Sequence, residues 1–168
     1  MGLAYNQAGR LQRVLAGGQQ TLAYSYDAFG KRAVKIKAGN AAMLYSYDQD
    51  GHLLEEANEQ GAASTDYIYL GDQPIATFTP GNGSLAFLHT DRLGTPQKVT
   101  NSGQSVVWRA DYQPFGEVNA ATSQTAGAPQ SLRFPGQEFE PETGFHQNWF
   151  RDYIPAFGRY SELSLIHI

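Results

Sequence analysis

The densest group of acidic side chains in the 168-residue sequence is a run of glutamates at alternate positions, Glu138, Glu140 and Glu142. A β-strand places alternate side chains on one face, where three carboxylates would raise one another's pKa or bind a hard cation. Pro141 and Gly144 indicate a turn in the same stretch, and acids beside a turn are usually solvated. We therefore predict solvent-exposed acids and no metal site.

The histidines offer little further chemistry. His89 and Asp91 stand two residues apart where a strand is expected to end, and such a pair is a potential general base or metal-ligand pair. No third group is placed beside them by spacing, so a hydrogen-bonded structural histidine is the favoured interpretation. The other histidines have no partners at metal-ligand spacing: His52, His146 and His167.

Composition removes several function classes. The sequence has no cysteine, which excludes disulfides and thiolate chemistry, and it has no Gly-x-Ser-x-Gly elbow or phosphate-binding glycine loop. No segment reaches the roughly 18 apolar residues of a membrane-spanning helix, and the first residues lack the pattern of a signal peptide. We predict no cofactor and no bound metal.

The basic residues crowd only between positions 31 and 37, in a chain of formal net charge −4. A nucleic-acid-binding surface would need a larger basic patch, so we predict no nucleic-acid partner. In a regular strand Arg32, Val34 and Ile36 would share one face, and the lysines would share the other: Lys31, Lys35 and Lys37. We interpret this cluster as a solvated strand face.

A repeat of 21 or 22 residues organises the chain. The first three units share Tyr, then Asn or Asp, then Gly four residues after the Tyr, and the same step continues to Tyr69, which lacks that Gly, to Thr90 and to Tyr112. Such fixed periods are typical of repeat architectures. Asp or Asn bends the chain by bonding its own backbone, and Gly takes the left-handed position that closes the turn. The matching positions are Tyr5 and Gly9; Tyr26, Asp27 and Gly30; Tyr47, Asp48 and Gly51; Tyr69; Thr90, Asp91 and Gly94; and Tyr112 and Gly116.

The repeated tyrosines allow two interpretations. Exposed, they would form an aromatic ladder that stacks on carbohydrate. Packed between adjacent strands, they would stabilise the fold, with about 0.5–1.5 kcal/mol for each aromatic pair beyond its burial. Because the tyrosines recur with the turn itself, the structural interpretation is favoured.

Alternation of apolar and polar residues predicts an all-β fold. Only Leu53–Asn58 indicates a helical turn. Residues 119–131 are small and polar and are predicted to form a flexible loop. The expected strands are Thr21–Tyr26, Lys31–Lys37, Met43–Tyr47, Thr65–Leu70, Ile75–Thr79, Leu85–His89 and Ser105–Ala110.

These repeats resemble the YD repeats of RHS proteins, whose relatives include the teneurins and the insecticidal Tc toxin complexes. Two further segments are similar to family motifs: His-Thr-Asp-Arg-Leu-Gly-Thr-Pro, which ends at Pro96, and Trp-Arg-Ala-Asp-Tyr-Gln-Pro-Phe-Gly, which starts at Trp108. Other positions follow the RHS-associated core: Arg133, Gly136, Gln137, Gly144, Asn148, Arg151, Gly158, Arg159 and Tyr160. The resemblance covers about residues 1–160.

The resemblance implies tandem YD-repeat β-hairpins that form part of a spiralling β-ribbon shell, followed by an irregular, aromatic-rich C-terminal core segment. Residues 1–88 would be YD/RHS repeats, and residues 89–160 a truncated RHS-associated core. Residues 161–168 depart from the family pattern and are expected to be a non-native tail.

The family also implies a function: the shell encloses a C-terminal toxin. The expected partners are the rest of the shell and that toxin domain, and the expected location is secreted or at the cell surface. A carbohydrate- or partner-binding surface module is the alternative. The family's core carries an aspartyl self-cleavage activity. Here Ile154 stands at one usual aspartate position and the other aspartate is missing, so Asp152 is only a weak catalytic candidate and no enzyme is predicted.

Overall fold

The computed structural model describes residues 1–120, 123–125 and 130–162. Twelve antiparallel strands follow one another in chain order and form one long sheet, here called the ribbon. Its strands are β1 (Gly2–Tyr5), β2 (Leu11–Ala16), β3 (Gln19–Tyr26), β4 (Arg32–Lys37), β5 (Ala42–Tyr47), β6 (Leu53–Asn58), β7 (Ala63–Leu70), β8 (Gln73–Thr79), β9 (Ser84–Thr90), β10 (Pro96–Asn101), β11 (Val106–Arg109) and β12 (Gln124–Thr125).

A second antiparallel sheet, here called the cap sheet, follows the ribbon. It consists of β13 (Gln137–Glu140), β14 (Phe145–Asn148), β15 (Arg151–Ile154) and β16 (Arg159–Tyr160). A single 3₁₀ turn, Pro155–Phe157, joins its last two strands. The described residues contain no helix that is long and apolar enough to cross a membrane. The all-β prediction is confirmed.

Two predictions about local structure need comment. The helical turn expected at Leu53–Asn58 is wrong: this segment is β6, which pairs with β5 on one side and β7 on the other. Strand pairing in the middle of a sheet satisfies its backbone groups and overrides its weak helical preference. The predicted loop 119–131 lies partly outside the described residues, and within it β12 pairs with β11. The predicted division at residues 88 and 89 falls inside β9 and stays a prediction.

The Tyr-Asp turns have the geometry that their residue types require. In the second unit the Asp27 carboxylate accepts a hydrogen bond from the Lys31 backbone N–H at 2.8 Å, and Gly30 N–H donates to the Asp27 carbonyl. Gly30 has φ +85°, a left-handed conformation that residues with a Cβ rarely adopt. Asp48 and Gly51 repeat this arrangement in the third unit.

Each tyrosine of the first four units also sits at a register shift, which marks a β-bulge in the strand that follows the turn. Bulges bend a strand and increase its twist, so the sequence period becomes a periodic bend of the ribbon. The bulge also fixes which residue pairs with the tyrosine. Those partners are all buried: Leu11, Arg32, Leu53 and Pro74.

The core follows this register. One buried cluster includes Leu11, Leu22 and Tyr24 in the first strands of the ribbon. A larger one is built on Leu53, Tyr67, Val99 and Trp108 and includes Leu132, which comes just before the cap sheet. The C-terminal aromatic residues are covered only in part. Phe145 is buried, whereas others keep much of their surface exposed: Phe134, Trp149, Phe150 and Phe157.

Gly51 is a point of contact between the two sheets as well as a turn residue. An added Cβ would lie 2.5 Å from the ring of Trp149, in addition to the strain of φ +91°. Gly61 has a similar φ of +76° but nothing within 4 Å. We expect Gly61→Ala to cost about 1–2 kcal/mol of unfolding free energy through backbone strain alone, and Gly51→Ala to cost roughly twice as much. Urea denaturation of both variants measures the difference, and equal losses would contradict the contact.

Candidate functional site

The most unusual side chain in the structure is Arg32, which occupies a core position of the repeat. Its backbone pairs with Tyr26 across the bulge, as Leu11 pairs with Tyr5 and Leu53 with Tyr47. Arg32 is only 3% exposed. A buried guanidinium needs anions or acceptors around it, because desolvation of a charge is costly.

The cap sheet supplies those anions. Arg32 Nη1 lies 3.1 Å from Glu140 Oε2, and Nη2 lies 3.0 Å from Asp152 Oδ1. The Tyr24 hydroxyl also donates to Glu140 at 3.3 Å, while the Tyr24 ring lies below the guanidinium, 4.1 Å from ring centroid to Cζ. One buried cation therefore binds two carboxylates, from β13 and β15, and joins the two sheets.

Two lysines extend this contact toward the surface. Lys35 Nζ lies 2.8 Å from Glu140 and 3.5 Å from Glu142, and Lys37 Nζ lies 3.2 Å from Glu142. We call the contact surface formed by these residues, together with Tyr24, Tyr47, Glu138, Asp152 and Glu162, the seam. The interpretation of residues 31–37 as a solvated face is wrong. The bulge at Ala33 moves Arg32 onto the face of Lys35 and Lys37, and this face binds the cap sheet.

The prediction of solvated acids is wrong for Glu138 and Glu140, whereas Glu142 is exposed. Glu138 and Glu140 do share one face of β13, as alternation predicted, and that face packs against the ribbon. Burial raises the pKa of Glu138 to about 8 and, against the charges of Arg32 and Lys35, that of Glu140 to about 7. The hydrogen bond with Glu140 and the nearby Lys35 lower the pKa of Glu142 to about 2. The side chains of two lysines and an arginine occupy the place where the sequence analysis considered a metal cation.

The weak catalytic candidate Asp152 is buried in the seam. Besides its contact with Arg32, its backbone N–H donates to Glu162 Oε2 at 2.8 Å. Burial, with a contribution from the Asp152 charge, raises the pKa of Glu162 to about 7. Short sequence patterns do not predict this carboxyl pair, because Glu162 belongs to the segment that departs from the family pattern. Residues 163–168 lie outside the described residues.

The histidines lie away from this network or inside the cap sheet. His89 is exposed, and its Nε2 lies 2.9 Å from the Thr100 hydroxyl, whereas Asp91 binds the backbone N–H groups of its own turn. His146 is buried, with Nδ1 2.8 Å from the Gln137 side-chain oxygen, and burial lowers its pKa to about 4. His167 lies outside the described residues.

His52 has carboxylate neighbours that spacing alone missed. Its Nδ1 lies 2.8 Å from Asp48 Oδ2, and the ligand atoms of Asp48, Asp50 and His52 lie within 4.8 Å of one another. The expectation that His52 lacks partners at metal-ligand spacing is therefore wrong. The turn brings residues four apart together. Asp48 already binds the backbone and the ring of His52, and Asp50 is exposed, so the group forms a hydrogen-bonded turn.

The repeated tyrosines are engaged within the protein. The Tyr26 hydroxyl donates to the Leu11 carbonyl, Tyr112 donates to the Pro96 carbonyl, and Tyr47 donates to Glu138. Tyr69 stacks on His52, and Tyr5 is the most exposed at 39%. This arrangement favours the structural interpretation of the tyrosines over a carbohydrate ladder.

The other motif residues fall into three groups. Gly9, Gly94, Gly116, Gly136, Gly144 and Gly158 have positive φ and close turns. Pro96, Trp108, Arg133 and Gln137 are buried near the junction of the two sheets, where the Arg133 guanidinium lies 4.5 Å from the Phe139 ring centroid. Asn148, Arg151, Arg159 and Tyr160 belong to the cap sheet, where Asn148 donates to the Tyr160 hydroxyl and Arg151 lies over the Tyr160 ring.

Comparison with known proteins agrees with this architecture. Residues 85–121 match the family model described as RHS protein. Double-stranded DNA deaminase toxin A of Burkholderia cenocepacia is 30% identical over 159 residues, which covers 83% of this chain and 11% of that protein. The chain is an RHS-type protein. Toxin protein Tse5 of Pseudomonas aeruginosa is 36% identical over 81 residues, which is 48% of this chain and 6% of Tse5.

Solved structures show the same fold. The Photorhabdus luminescens Tc holotoxin pore carrying a TccC3 mutation superposes with a TM-score of 0.69 at 18% identity, over 98% of this chain and 9% of that one. The TcdB2-TccC3-Cdc42 structure gives a TM-score of 0.68 over 97% of the chain. The RHS-type chain thus has the β fold found in a stretch of these Tc proteins, and it spans about a tenth of their length.

Loss of the Arg32 side chain should lower the unfolding free energy far more than loss of an exposed arginine. Arg32→Met leaves Glu140 and Asp152 buried without their shared cation, and we expect a loss of about 3–5 kcal/mol in unfolding free energy. Arg109, which forms an exposed ion pair with Asp111, is the matched control, and Arg109→Met should cost at most about 1 kcal/mol. Chemical denaturation measures both.

A triple variant separates lost pairing from lost packing. Arg32→Met combined with Glu140→Gln and Asp152→Asn removes the stranded carboxylates together with the cation, so stability should recover in part. A triple variant as unstable as Arg32→Met alone would show that the charge network is not the cause.

Proposed function

We propose that this RHS-type chain is a structural, encapsulating part of a polymorphic-toxin shell. Such a shell encloses and presents a C-terminal effector domain in the longer protein. The observation that carries the proposal is the continuous twelve-strand ribbon, bent once in each repeat and joined to the cap sheet by a buried ion network. A bent sheet of consecutive hairpins lengthens by repetition and forms a wall, as in other repeat proteins.

The comparisons support this proposal without testing it. Two of the relatives are named toxins, and the chain spans 11% and 6% of their lengths, so most of each relative lies outside the matched region. The proposed partners are the rest of the shell and the effector, and the proposed location is secreted or at the cell surface. Residues 1–88 are proposed as repeats and residues 89–160 as the associated core.

Enclosure can be tested by proteolysis of the longer protein. The effector should resist a broad-specificity protease while the shell is intact, and it should become sensitive when Arg32→Met opens the seam. Arg109→Met is the control that should leave protection unchanged. Digestion of the effector in the wild-type protein as fast as in isolation would overturn the proposal.

We also propose that this chain performs no self-cleavage. Aspartyl catalysis needs two carboxyl groups that share a proton and activate a water molecule. Asp152 has a carboxyl neighbour in Glu162, but it also binds the Arg32 guanidinium in a buried ion pair, and Ile154 stands at a usual aspartate position. Mass spectrometry of the purified chain over several days should show one intact mass at pH 5 and pH 7. Two complementary fragments, abolished by Asp152→Asn, would contradict this prediction.

The carbohydrate-binding alternative stays a prediction. It needs exposed aromatic rings, and the tyrosines concerned are mostly bonded within the protein. Glycan-array binding that is lost in Tyr47→Ala, with the fold retained, would favour it over the shell.

A further inference from the structure

Glu138 is a member of the seam that has no cation of its own. It lies in β13 and faces β5, where its Oε2 is 3.5 Å from the Tyr47 hydroxyl. No Lys or Arg among the described residues comes within ion-pair distance of it, although Glu140 on the same strand contacts two. Glu138 also borders two clefts of about 380 and 250 Å³, so protons can reach its carboxyl group.

The groups around Glu138 compensate its charge only in part, because burial and the charges of Glu56 and Glu140 raise its pKa while the charge of Arg32 lowers it. From β4, Arg32 is shared by Glu140 and Asp152. From β6, the Glu56 carboxylate faces the same region and accepts hydrogen bonds from Tyr67 and Ser131. From the turn before β4, Lys31 binds the Asp48 carbonyl and lies over the Tyr47 ring.

The seam therefore has more acids than bases. Its basic groups in ion-pair contact are Arg32, Lys35 and Lys37. The seam has five carboxyl groups beside these three bases, and Glu56 lies next to them: Glu138, Glu140, Glu142, Asp152 and Glu162. Full ionisation would leave uncompensated negative charge between two packed sheets, which the low dielectric of an interior makes unfavourable.

We propose that the seam is a proton-operated clamp, in which the neutral carboxyl of Glu138 keeps the cap sheet docked on the ribbon and its ionisation loosens that contact. The device depends only on the packing of the two sheets and stands apart from the proposed encapsulation. It predicts that docking is strongest at mildly acidic pH and weakens in mildly alkaline solution.

The direction and the size of the pH effect on docking follow from the proton affinities of Glu138 in the docked and open states. Burial raises the pKa of Glu138 from an ordinary 4.5 to about 8, so the docked state binds the proton more tightly than the open state. The stabilisation of the docked state by the Glu138 proton is complete below pH 4.5 and is lost as the pH rises through 8. Between pH 7 and 9.5 the equilibrium constant for docking should fall by at most about tenfold. This value is a maximum because Glu138 keeps some solvent exposure.

Between pH 7 and 9.5 the other titratable groups of the seam either change little in protonation or weaken docking as Glu138 does. Glu140 and Glu162, each with a pKa of about 7, add roughly twofold effects of the same sign. Burial raises the pKa of the Tyr47 phenol, which therefore keeps its proton. The Glu142 pairs with Lys35 and Lys37 are lost only near pH 2.

Hydrogen exchange tests the clamp in the intact chain. Amide protection in β13 and β14 is measured at pH 7, 8, 9 and 9.5 and corrected for the intrinsic pH dependence of exchange. The wild type should lose up to about fortyfold protection, the product of the tenfold effect of Glu138 and the twofold effects of Glu140 and Glu162. Glu138→Gln, which is permanently neutral, should lose no more than about fourfold. Glu117→Gln, at an exposed position in a ribbon turn, is the matched control and should behave as wild type.

A direct titration keeps the proposal falsifiable if Glu138→Gln fails to fold. Carbon NMR of the wild-type glutamate carboxyl groups should show one resonance, assigned to Glu138, with a midpoint above pH 7. A midpoint near 4.5 for Glu138 would overturn the clamp. So would equal loss of protection in Glu138→Gln and wild type, or constant protection of the wild type from pH 7 to 9.5.

Discussion

The architecture depends on one buried charge. Arg32 occupies the position where the first and third repeats have leucine, and a leucine there would be satisfied by the ribbon's own core. A guanidinium in that place is unfavourable unless carboxylates meet it. Glu140 and Asp152 do so from two different strands of the cap sheet, more than 100 residues further along the chain. The buried charge of the second repeat therefore has its carboxylate partners only when the cap sheet packs against the ribbon.

The register of the ribbon explains why this position is buried at all. Every tyrosine of the first four repeats coincides with a bulge, and the bulge places the residue that pairs with the tyrosine in the core. The glycine that closes the turn has a second role in the third repeat, because the Trp149 ring packs where its side chain would be. One short motif thus determines where the ribbon bends, which residue is buried in its core and, in the third repeat, where the cap sheet packs against it.

Sequence alone predicted seven of the ribbon's strands, the turns and their period, because each depends on local chemistry: alternation, a bending Asp and a left-handed Gly. It did not predict the seam. Alternation assigned Arg32 to the face of Val34 and Ile36, and one bulged residue reversed that assignment. Aligning the repeats would have placed Arg32 at a leucine position and marked it as buried. The partners Glu140, Asp152 and Glu162 are set by long-range packing, which no short pattern encodes.

The surplus of carboxyl groups gives the seam a property that an apolar contact would lack. Apolar surfaces stay buried at any pH, since nothing in them titrates. Arg32 can neutralise part of the charge of two carboxylates, and Lys35 and Lys37 do the same nearer the surface. None of these three cations forms an ion pair with Glu138, whose buried carboxyl is kept neutral by a proton. The strength of the contact between ribbon and cap sheet is consequently tied to the proton concentration around it.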